Sequence, residues 1–327
     1  MSVDVWGPLS NLAFASATVV YALALLAHAA EWAAARQVTP VGATEATRAT
    51  ATVGAPDARV TADATPPYAQ PAPRYDALGR IGQSLTVLAF AAHLIGVVAR
   101  GLAADRVPWG NMFEFSTTGA LAVTGAYLVL LRRSRLRWLG LPVSGFVLLV
   151  MGLAMVVPGL YVAPGPLVPA LHSYWLVIHV AAACVAGGAF TVGALTSLLY
   201  LLRTRAERRT PDETARRGYL WLLPSTTDID RVAYRVHAFA LPLWTFAVLA
   251  GAIWAEYAWG RYWGWDPKET WAFITWVVYA AYLHARATAG WQGRNAAIIA
   301  LLGFGTFLFN FIGINLFASG LHSYAGV

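Results

Sequence analysis

The chain has 327 residues, 58% of them hydrophobic and only 12% charged, with a net charge of +7. A soluble domain carries about 25% charged residues, so this composition indicates an all-α polytopic membrane protein and excludes an ordinary soluble enzyme. In a soluble protein the positive charge would suggest nucleic acid; here the arginines gather in alternate loops, which is a topological signal, and no nucleic-acid partner is expected.

The N-terminus carries Asp4 and lacks a basic leader, so a cleaved signal peptide is not expected. A spanning helix needs about 20 mostly apolar residues. Eight stretches qualify: roughly 11–33, 79–100, 115–131, 138–157, 174–202, 236–254, 270–286 and 296–317. They read as one polytopic domain over 1–327. Between the first two, residues 36–76 are rich in Ala, Thr, Pro and Val without helical period and read as a disordered cytoplasmic linker. Loops 132–137, 203–235 and 284–294 hold most of the arginines. The opposing loops hold Arg106, none, and Arg261 with Lys268. The positive-inside rule then places the arginine-rich loops in the cytoplasm, with both termini and residues 255–271 outside. Cys184 is the only cysteine and lies in an apolar run, which fits a buried structural thiol and excludes a disulfide or a CxxC pair. No phosphate-binding glycine loop, metalloprotease motif or nucleophile elbow occurs.

The densest chemistry lies in 259–271, where four tryptophans (Trp259, Trp263, Trp265 and Trp271) are mixed with Asp266, Lys268 and Glu269. One reading is an interfacial aromatic belt. The other is a flat shelf for a large planar ligand, since a belt needs no W-G-x-x-W-x-W-D-P-x-E grammar. Trp259-Gly260-Arg261-Tyr262-Trp263-Gly264-Trp265-Asp266-Pro267-Lys268-Glu269-Thr270-Trp271 resembles the WWD signature of haem-handling proteins. Thr275-Trp276, Tyr282 to Arg286, Gly313 to Tyr324, Leu167 to Val180 and, more weakly, Pro108 to Glu114 fit the CcsA family, also called ResC. The resemblance runs from about residue 105 to the end. It implies the multi-pass subunit of a cytochrome c synthetase (haem lyase) in a plasma or thylakoid-type membrane.

Seven histidines sit on this scaffold, and ionisable groups within a span are functional by default. At about 1.5 Å per residue, His179 lies roughly 8–9 Å below the outer end of its helix, whereas His284 lies roughly 21 Å past Thr270. His322 falls just beyond the outer end of the last helix. Trans ligands of one iron are only about 4 Å apart, so His284 cannot share an iron with His179 or His322, and an outer and an inner site are expected. The outer site joins His179 and His322 to the tryptophan shelf. At the inner site the resemblance implies that His284 is a haem ligand, completed by a partner subunit of the CcsB (ResB) type; His28 is a rival within the chain. His237 and His172 read as interfacial and His93 as a hydrogen-bonded interior residue.

The resemblance further implies a relay. Haem b, as bound substrate, passes from His284 to the outer shelf and meets the Cys-x-x-Cys-His thiols of apocytochrome c. Asp266 fixes the loop by accepting N–H bonds, while Arg261 and Lys268 are the cations available to the propionates, against ordinary snorkelling among membrane lipid. Two other classes stay open: a b-type electron-transfer cytochrome, although no two histidines have its thirteen- or fourteen-residue spacing, and a solute transporter, although no convincing internal repeat is visible.

Overall fold

The computed structural model describes residues 3–35, 73–133, 136–167, 169–212, 216 and 218–322. Nearly all of the expected linker, 36–72, lies outside the described residues. Every regular element among the described residues is helical. In chain order they are α1 Val3–Ala34, α2 Pro73–Ala104, α3 Met112–Arg133, α4 Gly140–Val156, α5 Tyr174–Arg209, α6 Thr226–Trp259, α7 Pro267–Thr288 and α8 Arg294–Leu308. A π-helical stretch, Phe309–Gly313, continues α8 into a final turn, α9 Ile314–Phe317.

Seven of these segments are long and apolar enough to cross a membrane, the last being Arg294–Phe317 as a unit. The protein is a multi-pass membrane protein. The seventh stretch expected from sequence, 270–286, lies in α7, which is not among the seven. Its 22 residues make it about 33 Å long, enough for a hydrocarbon core of about 30 Å. Lys268, Glu269 and Arg286 lower its apolar content instead.

Several helices begin earlier than the apolar pattern alone suggests. α2 starts at Pro73 with Asp76 in its first turn, so residues 73–76, assigned above to the linker, are helical; proline at the first helical position loses no hydrogen bond. α6 starts at Thr226, where the Ser225 side chain accepts from the Asp228 amide. Polar first turns of this kind carry no hydrophobic signal, but they cap a helix as well as any. α5, with 36 residues, is about 54 Å long and carries Arg203 to Arg209 beyond any bilayer core.

Helices α1 and α2 form one antiparallel pair and α5 and α6 another; α3 packs between them, and α4 lies against α1 and α3. Helices α7 and α8 close the far side against α6 and α5. Backbones approach closely where small residues allow it: a Cβ on Gly188 of α5 would stand 2.8 Å from the backbone of Ala122 on α3. Without a hydrophobic driving force between helices in lipid, such packing is what holds the bundle. At the end away from the tryptophan loop, Arg137 ties α1 to α2 through Glu31 at 2.7 Å and Asp76 at 2.6 Å.

Candidate functional site at the tryptophan loop

The loop between α6 and α7 is folded by its acids. Gly260 ends α6 in the left-handed conformation, φ +69°, which costs a glycine nothing. Asp266 then caps α7, accepting from the Lys268 amide at 3.0 Å. Pro267 takes the first helical position, and Glu269, three residues past the cap, reaches back to the amides of Asp266 at 3.1 Å and Gly264 at 2.8 Å. Asp-Pro-x-Glu is thus a capping box with proline in the place that suits it. Arg261 neutralises Glu269 at 3.2 Å.

The end of the chain returns to the same cap. The second carboxylate oxygen of Asp266 accepts from the Leu321 amide at 2.8 Å, and the first lies 2.9 Å from His322 Nδ1. Burial would push the Asp266 carboxyl up, but the His322 ring and the Lys268 and Leu321 amides outweigh it and hold it down at about 2. It is therefore a carboxylate at physiological pH and can only accept. His322 must donate from Nδ1, which leaves Nε2 as a lone-pair donor in the neutral ring.

His179, on the second turn of α5, has the same arrangement. Its Nδ1 lies 2.7 Å from the carbonyl oxygen of Ala247 on α6, and a carbonyl only accepts, so Nε2 is again left over. Gly251, one turn along α6, makes room: a Cβ there would fall 2.7 Å from the imidazole. Between the histidines stands Trp254, stacked on His179 with ring centroids 6.1 Å apart and edge-on to His322 at 5.6 Å. Trp259 lies 4.8 Å from both Trp254 and His322. Both histidines, Trp254, Trp263 and Lys268 line a cavity of about 360 Å³, whose deeper wall is apolar and includes Phe146, Val150 and Phe307.

The expected four-tryptophan shelf divides. Trp259 and Trp263 belong to the site. Trp265, at φ +58°, is 65% exposed and edge-on to Trp263. Trp271 faces α8 and packs on Phe309 with centroids 4.2 Å apart. The reason is the cap, because once α7 begins at Pro267 its first turn carries Trp271 round to the neighbouring helix. Trp254 was not predicted; a tryptophan closing an apolar run has the signal of an interface anchor and no other. Cys184 is half-buried and forms part of the cavity wall.

The remaining histidines separate from this site. His284 is exposed on α7 near its far end. His28 is fully buried, 3.2 Å from Glu31 and enclosed by Gly82 of α2 and Gly140 of α4, away from α7. His237, expected at the inner membrane edge, is fully buried within the bundle, with Tyr279 and Tyr282 at 5.1 and 5.2 Å. The early start of α6 places it three turns inside the helix. His93 is buried 3.4 Å from the Tyr21 hydroxyl, in keeping with an interior role, and His172 is exposed in the loop before α5.

Residues 109–322, which include both site histidines and the whole tryptophan loop, match the family of cytochrome c assembly proteins. Cytochrome c biogenesis protein CcsA of Synechococcus elongatus is 39% identical over 286 residues, covering 76% of this chain and 87% of that protein. The CcsA of another Synechococcus species is 36% identical over 298 residues (75% and 83%), and that of Porphyra purpurea 33% identical over 286 residues (77% and 89%). Among solved structures, the cytochrome c haem lyase CcmF superimposes on 97% of this chain and 50% of its own, with a TM-score of 0.59 and 16% identity, which speaks to the fold alone. A match that spans the loop, the cap and both histidines, at this level of identity over most of either chain, assigns the protein to the cytochrome c assembly family and, within it, to the CcsA (ResC) proteins.

Proposed function

We propose that this protein is the haem-handling subunit of a cytochrome c assembly machine, carrying haem b across the membrane and holding it, as substrate, for attachment to apocytochrome c. Work in cytochrome c biogenesis follows from the family. The haem reading is supported by one observation above others: two imidazoles, each with Nδ1 committed to a fixed acceptor, stand at one aromatic-lined cavity with Nε2 to spare. Metal-bound histidines are oriented in this way, and the donated proton raises the basicity of the ligating nitrogen. Trp254, Trp259 and Trp263 offer ring faces and edges to a porphyrin, and the apolar wall below suits its body.

The chain's part in attachment is to bind and orient. Each apocytochrome thiol adds across a haem vinyl group, forming one C–S bond while the thiol hydrogen passes to the other vinyl carbon, so no electrons are exchanged. No nucleophile from this chain is needed. His284, exposed on α7, suits a ligand shared with a second membrane subunit of the CcsB (ResB) type. On this reading the tryptophan loop and both termini face the outer compartment and the arginine-rich end faces the cytoplasm.

Soret absorbance of the purified protein, alone and with its partner subunit, tests this directly. His179→Gly or His322→Gly should abolish maturation and remove the outer haem signal, and added imidazole should partly restore both. Full maturation by either variant without imidazole would overturn the assignment. In the complex His284→Gly should remove the inner haem and His28→Ala should not; loss in His28→Ala alone would place the second ligand within this chain.

A further inference from the structure

The cavity wall is largely apolar, and apart from its two histidines the ionisable residues on it include one acid, Glu269, and one cation, Lys268. Of the two cations in the loop, Arg261 is already neutralised by Glu269 and lies against the face of Trp259, 5.8 Å from its centroid. Lys268 differs. Its ammonium donates to the amide oxygen of Asn315 at 2.6 Å, and among the described residues it forms no ion pair. Asp266, two residues before it, accepts from His322 and two backbone amides and acts on the ammonium only through space, without a direct ion pair. Asn315 is fixed in turn, since its amide nitrogen donates to the Phe311 carbonyl at 2.5 Å, so its oxygen must face the lysine. An ammonium has three donors. With one neutral amide in contact and Asp266 only at a distance, the cost of burying that charge is compensated in part and donors are left for an anion.

A second observation points to the same wall. Asn310 is only 6% exposed, its side-chain oxygen has no partner, and it lines the cavity together with Lys268 and Asn315. On a regular α-helix, residues 310 and 315 would stand about 140° apart round the axis. Asn310 lies within the π-helical turn Phe309–Gly313 and Asn315 two residues beyond it, and both amides reach the cavity. Such turns recur at functional sites. Either end of the Asn310 amide can be turned to a ligand.

We propose that Lys268, with Asn315 and Asn310, forms an anion subsite in the wall of the histidine cavity that takes a carboxylate arm of the bound tetrapyrrole. The proposal rests on the haem reading above. The same chemistry would accept the phosphate of a lipid headgroup, so the test must separate the two. Haem and its dimethyl ester, which lacks the carboxylates, are titrated into the full-length protein in phosphatidylcholine nanodiscs. Wild type should bind haem about tenfold more tightly than the ester, the worth of one charge-assisted hydrogen bond. Lys268→Met should bring haem down to the ester's level and leave the ester unchanged, Lys268→Arg should keep most of the preference, and Asn310→Leu should weaken haem alone. Equal binding of haem and ester by wild type, or no effect of Lys268→Met on haem, overturns the subsite. So does a loss confined to co-purified phosphatidylglycerol, which would make the anion a lipid phosphate. If instead His179→Gly and His322→Gly leave the Soret band untouched, it is the haem reading that fails.

Discussion

Two loops at the same end of the bundle are built by one device and have different consequences. In the tryptophan loop, Asp266 caps α7 and Glu269 at the third helical position takes the amide of Gly264 and the guanidinium of Arg261. In the loop before α3, Asn111 accepts from the Glu114 amide at 3.0 Å, and Glu114, again at the third position, takes the Gly110 amide at 2.7 Å. Glu114 also meets Arg100 at 2.9 Å and Arg106 at 2.7 Å. The two arginines go on to the carbonyls of Val162 and Gly165, so this loop is a sealed latch on the segment before α5. The cap itself makes the difference. Asparagine holds its helix and little more, whereas aspartate has lone pairs to spare and spends them on Leu321 and His322. The change from amide to carboxylate thus lets a folding motif also fix the chain's end and the His322 ring.

The largest effect should come from the latch. Glu114→Ala leaves two guanidiniums buried against each other at a cost of about 3–5 kcal/mol, and the protein should fail to accumulate in the membrane; normal accumulation and melting would show that the latch does not hold the loop. Next comes Asp266→Asn, which keeps a good cap but removes the charge that orients His322. Accumulation should stay near wild type while outer-site haem affinity falls about 10–100-fold, as read by titration. Wild-type affinity in that variant would mean that the carboxylate is a cap and nothing else. A smaller contrast separates the tryptophans: Trp263→Ala should lower outer haem more than Trp265→Ala, because only the first lines the cavity, and equal losses would restore the undivided shelf. The smallest effect belongs to Asn111→Asp, a cap exchange worth within about 0.5 kcal/mol; a change in haem content there would break the separation between the two loops.

Much of this was legible in the sequence, for reasons that also explain what was not. Apolar runs announce helices, and each stretch found from residue 11 onward falls on a helix of the structure, 138–157 starting in the 3-10 turn before α4 and overrunning its end at Val156. Their polar first turns, such as Thr226 to Asp230, are silent in a hydropathy pattern, and that silence hid the ten residues by which α6 precedes its apolar run. Asp-Pro-Lys-Glu was part of the grammar that suggested a ligand shelf, whereas its carboxylates fold the loop and only one of them reaches a histidine. The kinship of the two loops is hidden from alignment, because Glu114 follows Trp109-Gly110 one residue sooner than Glu269 follows Trp263-Gly264. Trp254 and Gly251 could not be found, since their roles arise from what α5 and the chain's end bring to them.

The π-helical turn near the end of the last long helix acts as a phase shifter. Upstream of it Gly303 lies against Tyr279 of α7, and downstream Asn315 reaches Lys268 and Met112. One residue corresponds to about 100° of rotation in an α-helix. Loss of a single residue within 309–313 would let the turn relax to α-helical pitch and swing everything beyond it, the segment that delivers His322 included, while the packing before it stayed in place. The bundle would remain intact with His322 pointing elsewhere. This stretch is therefore one where chain length, more than side-chain identity, sets whether the site can close.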